Sequence, residues 1–325
     1  MLRRIAPIIM LAFLSPFVAE FLLADQYLSG PPSFAQLGSF VLFVPLYGFG
    51  AVTIRELTRR SGRGWPTMVL LALAFGVVEE GLLTQSLFNP NYLNAHLLDF
   101  GFIPALGISA PWTVYVLTLH TVWSICAPIA VVEACFGSRE PWLGTVGQGV
   151  STGVYVLGAV ATFGISYAMG SHYLAPLPQL LASAVVAIAL IIVAFTGFRP
   201  RVARTGHVTE WAAFAVGLLA SSAFQLCRLA AGSLSATVTT VLLLGIVLVG
   251  VVVIARWVRG GAFGLGAGAV VTYCWHGLVT ATGYGTAATV EQSVLVAFTL
   301  ALLVLVARRA SAGQPAPGRA FSAAR

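Results

Sequence analysis

The chain has 325 residues, 58% of them hydrophobic and 8% charged, with a formal net charge of +7. Soluble domains carry about 25% charged residues because their surfaces face water, so this composition excludes an ordinary soluble enzyme. The basic residues, all Arg, stand at the ends of apolar runs and not in a surface stripe, which excludes the footprint of a nucleic-acid-binding protein.

Apolar runs of about 18 residues or more read as membrane spans. About ten follow one another here, at 5–24, 37–54, 66–88, 112–135, 143–169, 177–197, 208–229, 234–256, 261–282 and 288–307. The expected fold is therefore an all-α, polytopic transmembrane bundle. The first run follows Arg3 and Arg4 and is longer than the 7–15 residues of a signal-peptide core. It also contains Glu20, so it reads as an uncleaved span. Pro16, one turn earlier, removes a helical hydrogen bond and is expected to open the backbone near that carboxylate.

The second run ends at Arg55, Glu56, Arg59, Arg60 and Arg63, closed by Trp65-Pro66, which reads as a topology determinant and interface anchor. The third carries the tandem Glu79-Glu80, flanked by Gly76 and Gly81, and is followed by Asn89-Pro90-Asn91. The fourth carries His120, with Trp123 and Ser124 at helical spacing, and Glu133 near its Arg-rich end, where ion pairing with Arg55 suffices.

In the fifth, Gly149 and Gly153 put small residues on one face, which favours close helix approach in lipid. Gly149-Val150-Ser151-Thr152-Gly153 also matches the string of serine hydrolases. That motif needs a strand-to-helix turn, whereas here it lies inside a helix. The ninth run opens on Gly260, Gly264 and Gly268 at four-residue spacing and carries His276, with Thr272, Tyr273 and Thr280 around it. Cys126, Cys135, Cys227 and Cys274 lie singly in apolar runs and read as small buried hydrophobes. Asp99, His96, His172 and His207 are loop residues without an assigned role. Residues 1–310 are expected to form one transmembrane domain, and 311–325 a low-complexity, disordered cytoplasmic tail.

Orientation follows from Arg, which accumulates in cytoplasmic loops. With both ends inside, the inner segments hold Arg3/Arg4, Arg55 to Arg63, Arg139, Arg199/Arg201/Arg204, Arg256/Arg259 and Arg308/Arg309, and Arg228 is the lone exception. The all-Arg usage points to a high-GC bacterial genome, hence a multi-pass protein of a bacterial plasma membrane.

An ionisable side chain inside a span costs roughly 2.5–3.5 kcal/mol on insertion scales and by default marks function. Five lie well inside spans: Glu20, Glu79, Glu80, His120 and His276. At about 1.5 Å per residue, Glu20, Glu79, Glu80 and His276 come to roughly 20–22 Å from the inner edge. His120, entering from the other side, reaches nearly the same level in a core about 30 Å thick. Carboxylates and neutral imidazoles are the ligands of catalytic zinc, which keeps a fourth position for water. A further carboxylate can take the proton from that water. Glu79, His120 and His276 are thus the candidate ligands of a divalent metal such as zinc. Glu79 and Glu80 are the candidate catalytic acids, with Glu20, Ser124, Tyr273 and Thr280 in support.

These residues resemble the CAAX-protease and bacteriocin-processing (CPBP, or Abi) family of intramembrane metalloproteases, whose motifs are Glu-Glu-x3-Arg, Phe-x3-His and His-x3-Asn/Asp on separate spans. Glu79-Glu80, Val116-x3-His120 and His276-x3-Thr280 follow that order, with Thr84, Val116 and Thr280 where the family has Arg, Phe and Asn or Asp. The resemblance implies a metal-dependent endopeptidase acting on a membrane-embedded peptide, with Glu79 or Glu80 activating water and His120 and His276 binding a metal or stabilising the oxyanion. Two other classes fit the same polar layer: a proton- or ion-coupled transporter, and a non-catalytic membrane scaffold.

Overall fold

The computed structural model describes residues 2–170, 172–197, 208–257 and 260–312. Among them, ten helices are long and apolar enough to cross a membrane: Ile5–Leu22, Gly38–Arg60, Trp65–Leu83, Ala110–Phe136, Thr145–Met169, Leu177–Thr196, Glu210–Ser233, Ala236–Ile254, Ala262–Thr282 and Thr286–Ala312. They are numbered here as the first to tenth spans and correspond one to one with the expected runs. The protein is a polytopic helical bundle. Its described strands are Phe102–Ile103 and Ile108–Ser109, which pair antiparallel in the loop before the fourth span.

Burial separates the spans into two groups. The first four and the ninth have 56–67% of their apolar windows buried, whereas the others have 11–28%. Lipid tails are as apolar as Leu, so burial in a membrane is decided by close packing and polar contacts. The central spans are the ones that supply both. A Cβ at Gly264 would lie 2.2 Å from the Glu210 carbonyl oxygen, and one at Gly268 would lie 2.4 Å from that of Phe214. The ninth span thus presses on the seventh through its glycines, as their spacing predicts. Among the described residues, a Cβ at Gly149 or Gly153 would meet nothing within 4 Å, so no described element packs closely on the small-residue face expected on the fifth span.

Two ends differ from expectation near the polar layer. The third span stops at Leu83, not 88, because Gln85 takes a left-handed conformation (φ 56°) and turns the chain back. The first stops at Leu22, and Ala24 (φ 79°) makes the corresponding turn.

At the Arg-rich end, Arg55 is not an interface anchor. Its side chain is fully buried, donating to Glu56 at 2.5 Å, to Glu133 at 3.0 Å and to the Ser138 carbonyl at 3.1 Å, with its guanidinium 3.5 Å from the Trp142 ring centre. Arg59 adds a two-point contact to Glu133 at 2.5 and 2.7 Å. Glu56 accepts from the backbone N–H groups of Trp142 and Leu143. Two cations and two carboxylates balance, so this clamp joins the second span, the fourth span and the loop after it.

The tenth span continues to Ala312, so Ser311 and Ala312 of the expected tail are helical. Arg199, Arg201, Arg204, His207, Arg259 and residues 313–325 lie outside the described residues, as do the side chains of Arg3, Arg4 and Arg256.

Candidate intramembrane acid–base site

Each of the first four spans contains a π-helical turn: Phe17–Leu22, Val44–Gly48, Glu79–Leu83 and His120–Cys126. Such turns are rare and recur at functional sites, because the extra residue per turn re-aims side chains. Every one of them carries a polar residue of the same layer: Glu20, Tyr47, Glu79 with Glu80, and His120 with Ser124. Proline accounts for two of these turns. Pro16 precedes the first and Pro45 lies within the second, each removing an N–H from the regular ladder. In the third, the Thr84 N–H reaches back five residues to the Glu79 carbonyl at 2.8 Å.

Glu79, Glu80 and His120 are 2%, 6% and 6% exposed and meet at one point. The two imidazole nitrogens face different acids, with Nδ1 3.1 Å from Glu79 Oε2 and Nε2 2.6 Å from Glu80 Oε1. Packing fixes the ring. Tyr47 stacks on it at 5.9 Å between centroids, Phe75 meets it edge-on at 6.1 Å, and Ser124 Oγ lies 3.3 Å from Nδ1. Gly76 lets the fourth span in, since a Cβ there would sit 3.1 Å from His120 Cβ, and Gly81 does the same for Ser183 of the sixth span.

The carboxylates are held differently. Glu80 Oε2 accepts from Ser86 Oγ and, at 3.1 Å, from Thr84 Oγ1. Ser86 in turn accepts from Trp112 Nε1 at 3.1 Å. Glu79 Oε1 accepts the Tyr47 hydroxyl at 2.5 Å, whereas Glu79 Oε2 is buried 3.1 Å from His120 Nδ1 with no donor aligned for a hydrogen bond. Glu20 is within electrostatic reach of Tyr47. Asp25, on the turn after the first span, is within electrostatic reach of Glu20, Glu80 and His120. Burial first, and the Glu20 charge second, push the Asp25 carboxyl up to about 8.

Sequence reasoning missed Tyr47, Ser86, Trp112 and Asp25 as members. Pro45 and Gly48 around Tyr47 were the available signal. The other three depend on how the turns at Ala24 and Gln85 fold back.

His276 does not join the acids. Its ring packs against Trp275 and Tyr273, its Nδ1 is 3.5 Å from Thr280 Oγ1, and its electrostatic neighbour is Arg228. Tyr273 stacks flat on Trp123 at 4.6 Å, and Thr280 donates to the His276 carbonyl at 3.1 Å. The expectation that five groups form one cluster is thereby corrected. Rise along a helix sets depth, but the direction a side chain takes around its helix depends on rotation and neighbours.

A metal can be tested against this geometry. Among the described residues, Glu79, Glu80 and His120 offer one ligand atom each within 4.8 Å of one another. Glu79 Oε2, 3.1 Å from His120 Nδ1, makes no aligned hydrogen bond. Glu20 and Asp25 lie within electrostatic reach of His120, so acidic groups outnumber the imidazole. In a medium of low dielectric such a set holds together only with added positive charge, as protons or a cation. The donors fit a divalent ion with two carboxylates and one imidazole; a second imidazole is not part of the set.

Residues 9–317 match the sequence model of a family described as an uncharacterized membrane protein family. No curated protein and no solved structure matches the chain. The match spans nearly the whole chain and the helices account for its composition, so the protein belongs to that family of integral membrane proteins.

Proposed function

We propose that the chain is an intramembrane hydrolase of the kind the CPBP resemblance implies, a metal-dependent endopeptidase cleaving a membrane-embedded peptide. One observation supports this most: a buried imidazole between two carboxylates, one of which keeps an oxygen facing the ring without an aligned hydrogen bond. In this reading Glu79 is the base. Tyr47 holds its Oε1, leaving Oε2 to accept the proton of an attacking water. Glu80, fixed by Ser86 and Thr84, holds His120 through Nε2, and the protonated Glu79 carboxyl returns its proton to the leaving amine. Thr84 stands where the resembling family has Arg and serves through its hydroxyl contact with Glu80. Glu79, Glu80 and His120 would hold the divalent cation, which when bound supplies Lewis acidity toward water and the scissile carbonyl. His276 and Thr280 stay outside the chemistry.

The test is cleavage of quenched transmembrane peptides by the full chain in proteoliposomes. Wild type and His276→Ala are expected to cleave, and Glu79→Gln and His120→Ala to fail while still folded. Cleavage surviving in Glu79→Gln would refute the reading. A second reading has its own support: the run Glu80–His120–Glu79–Tyr47–Glu20 resembles a proton relay. Proton flux across the same vesicles, lost in His120→Ala and without peptide cleavage, would favour coupled transport over hydrolysis.

A further inference from the structure

Arg228 breaks the Arg distribution of the chain, and its surroundings say what it is for. It lies near the end of the seventh span and lines a cavity of about 270 Å³ together with Trp112, Ser109, His96, Leu97 and Phe100. Among the described residues no carboxylate lies within ion-pair distance of its guanidinium, which stands over the Tyr115 ring at 5.4 Å. An aromatic face offsets part of the desolvation of a cation but does not neutralise it. The other ionisable group of the lining, His96, is 3.5 Å from Asp99 and largely exposed, so Arg228 is the charge left for a ligand.

We infer that this cavity is a phosphate site, filled by the headgroup of a membrane lipid. Arg is suited to phosphate because its planar fork donates two parallel hydrogen bonds. The volume lies just below the roughly 300–1,000 Å³ of sites that enclose a whole drug-sized ligand, so it suits a headgroup and not an entire amphiphile. Acyl chains have a place to go: Leu226 and Leu229, on the same helix, are 55% and 50% exposed. The cavity also touches the acid site at one remove, since Trp112 lines it and donates to Ser86, which holds Glu80. The inference does not rest on the hydrolase reading.

Native mass spectrometry of the full chain in detergent tests it, with phosphatidylglycerol, diacylglycerol and inorganic phosphate as probes. Phosphatidylglycerol is expected to be retained at one copy and diacylglycerol not. Arg228→Ala is expected to lower retention about fivefold, the worth of one cation at a membrane surface, and Arg228→Lys, which keeps the charge without the fork, to fall between Arg228→Ala and wild type. Gly232→Phe provides a variant that spares Arg228: Gly232 lines the cavity, and an added Cβ meets nothing within 4 Å. It too should release the lipid. Displacement of the lipid by millimolar inorganic phosphate would identify the free anion as sufficient; persistence would identify the lipid as the source. Both outcomes keep the phosphate site. Equal retention in Arg228→Ala and wild type, or equal retention of diacylglycerol, would overturn it.

Discussion

Tyr47 donates its hydroxyl to Oε1 of Glu79 at 2.5 Å, and the second oxygen of that carboxylate is buried 3.1 Å from His120 Nδ1 with no aligned hydrogen bond. A hydrogen bond to a charged group is worth about 1.5–3 kcal/mol. Tyr47→Phe should therefore slow peptide cleavage by about 10–100-fold while leaving the helix content unchanged by circular dichroism. An unchanged rate would remove Tyr47 from the site.

The two acids are not equivalent, because Glu80 is tied by two hydroxyls and Glu79 by one. A general base contributes about 10²–10⁴-fold, so Glu79→Gln should fall by that amount. Glu80→Gln keeps an oxygen able to accept from Ser86 and Thr84 and should retain measurably more activity than Glu79→Gln. Side-by-side initial rates in proteoliposomes decide the order, and the reverse order would exchange the roles.

Asp25 gives a pH signature that the span residues do not complicate. Its carboxyl ordinarily titrates near 3.8 and is pushed up to about 8 in the folded chain, by burial first and by Glu20 second. The folded state then binds the proton more tightly than the unfolded state, so this contribution is full below about 3.8 and is lost as pH rises toward about 8. Thermal stability of wild type in detergent should decline across that window, and Asp25→Asn should flatten the decline. Parallel curves for the two proteins would count against a buried Asp25.

Much of this was legible in the amino-acid sequence. The ten spans follow from run length and charge spacing, since lipid demands continuous apolar helices. Placing Glu79, Glu80 and His120 at one depth needed only the helical rise. His276 shows where such reasoning ends: at nearly the same depth, it packs against Trp275 and Tyr273 and approaches Thr280. Tyr47 and Ser86 show a second limit. Their roles come from a π turn at Val44–Gly48 and a left-handed Gln85, neither of which a regular helical wheel includes.

The clamp at the Arg-rich end predicts a stability effect apart from the chemistry. Removing one partner of a buried ion pair costs about 3–5 kcal/mol because the other charge is stranded. Arg55→Met strands Glu56 and part of Glu133 and should lower the thermal unfolding temperature clearly. Arg60→Met should not, because Arg60 donates to the Leu143 carbonyl at an exposed position and, among the described residues, pairs with no carboxylate. Comparable losses in both variants would mean that the clamp is not a specific support.

The central claim is that Glu79, Glu80 and His120 form one cation-holding acid–base centre without His276. Metal content of the purified full chain, measured by mass spectrometry after equilibration with zinc and desalting, tests it directly. Close to one equivalent is expected in wild type and in His276→Ala, and close to none in His120→Ala or in the Glu79→Gln/Glu80→Gln double variant. Loss of the ion in His276→Ala, or its persistence in His120→Ala, would contradict the account.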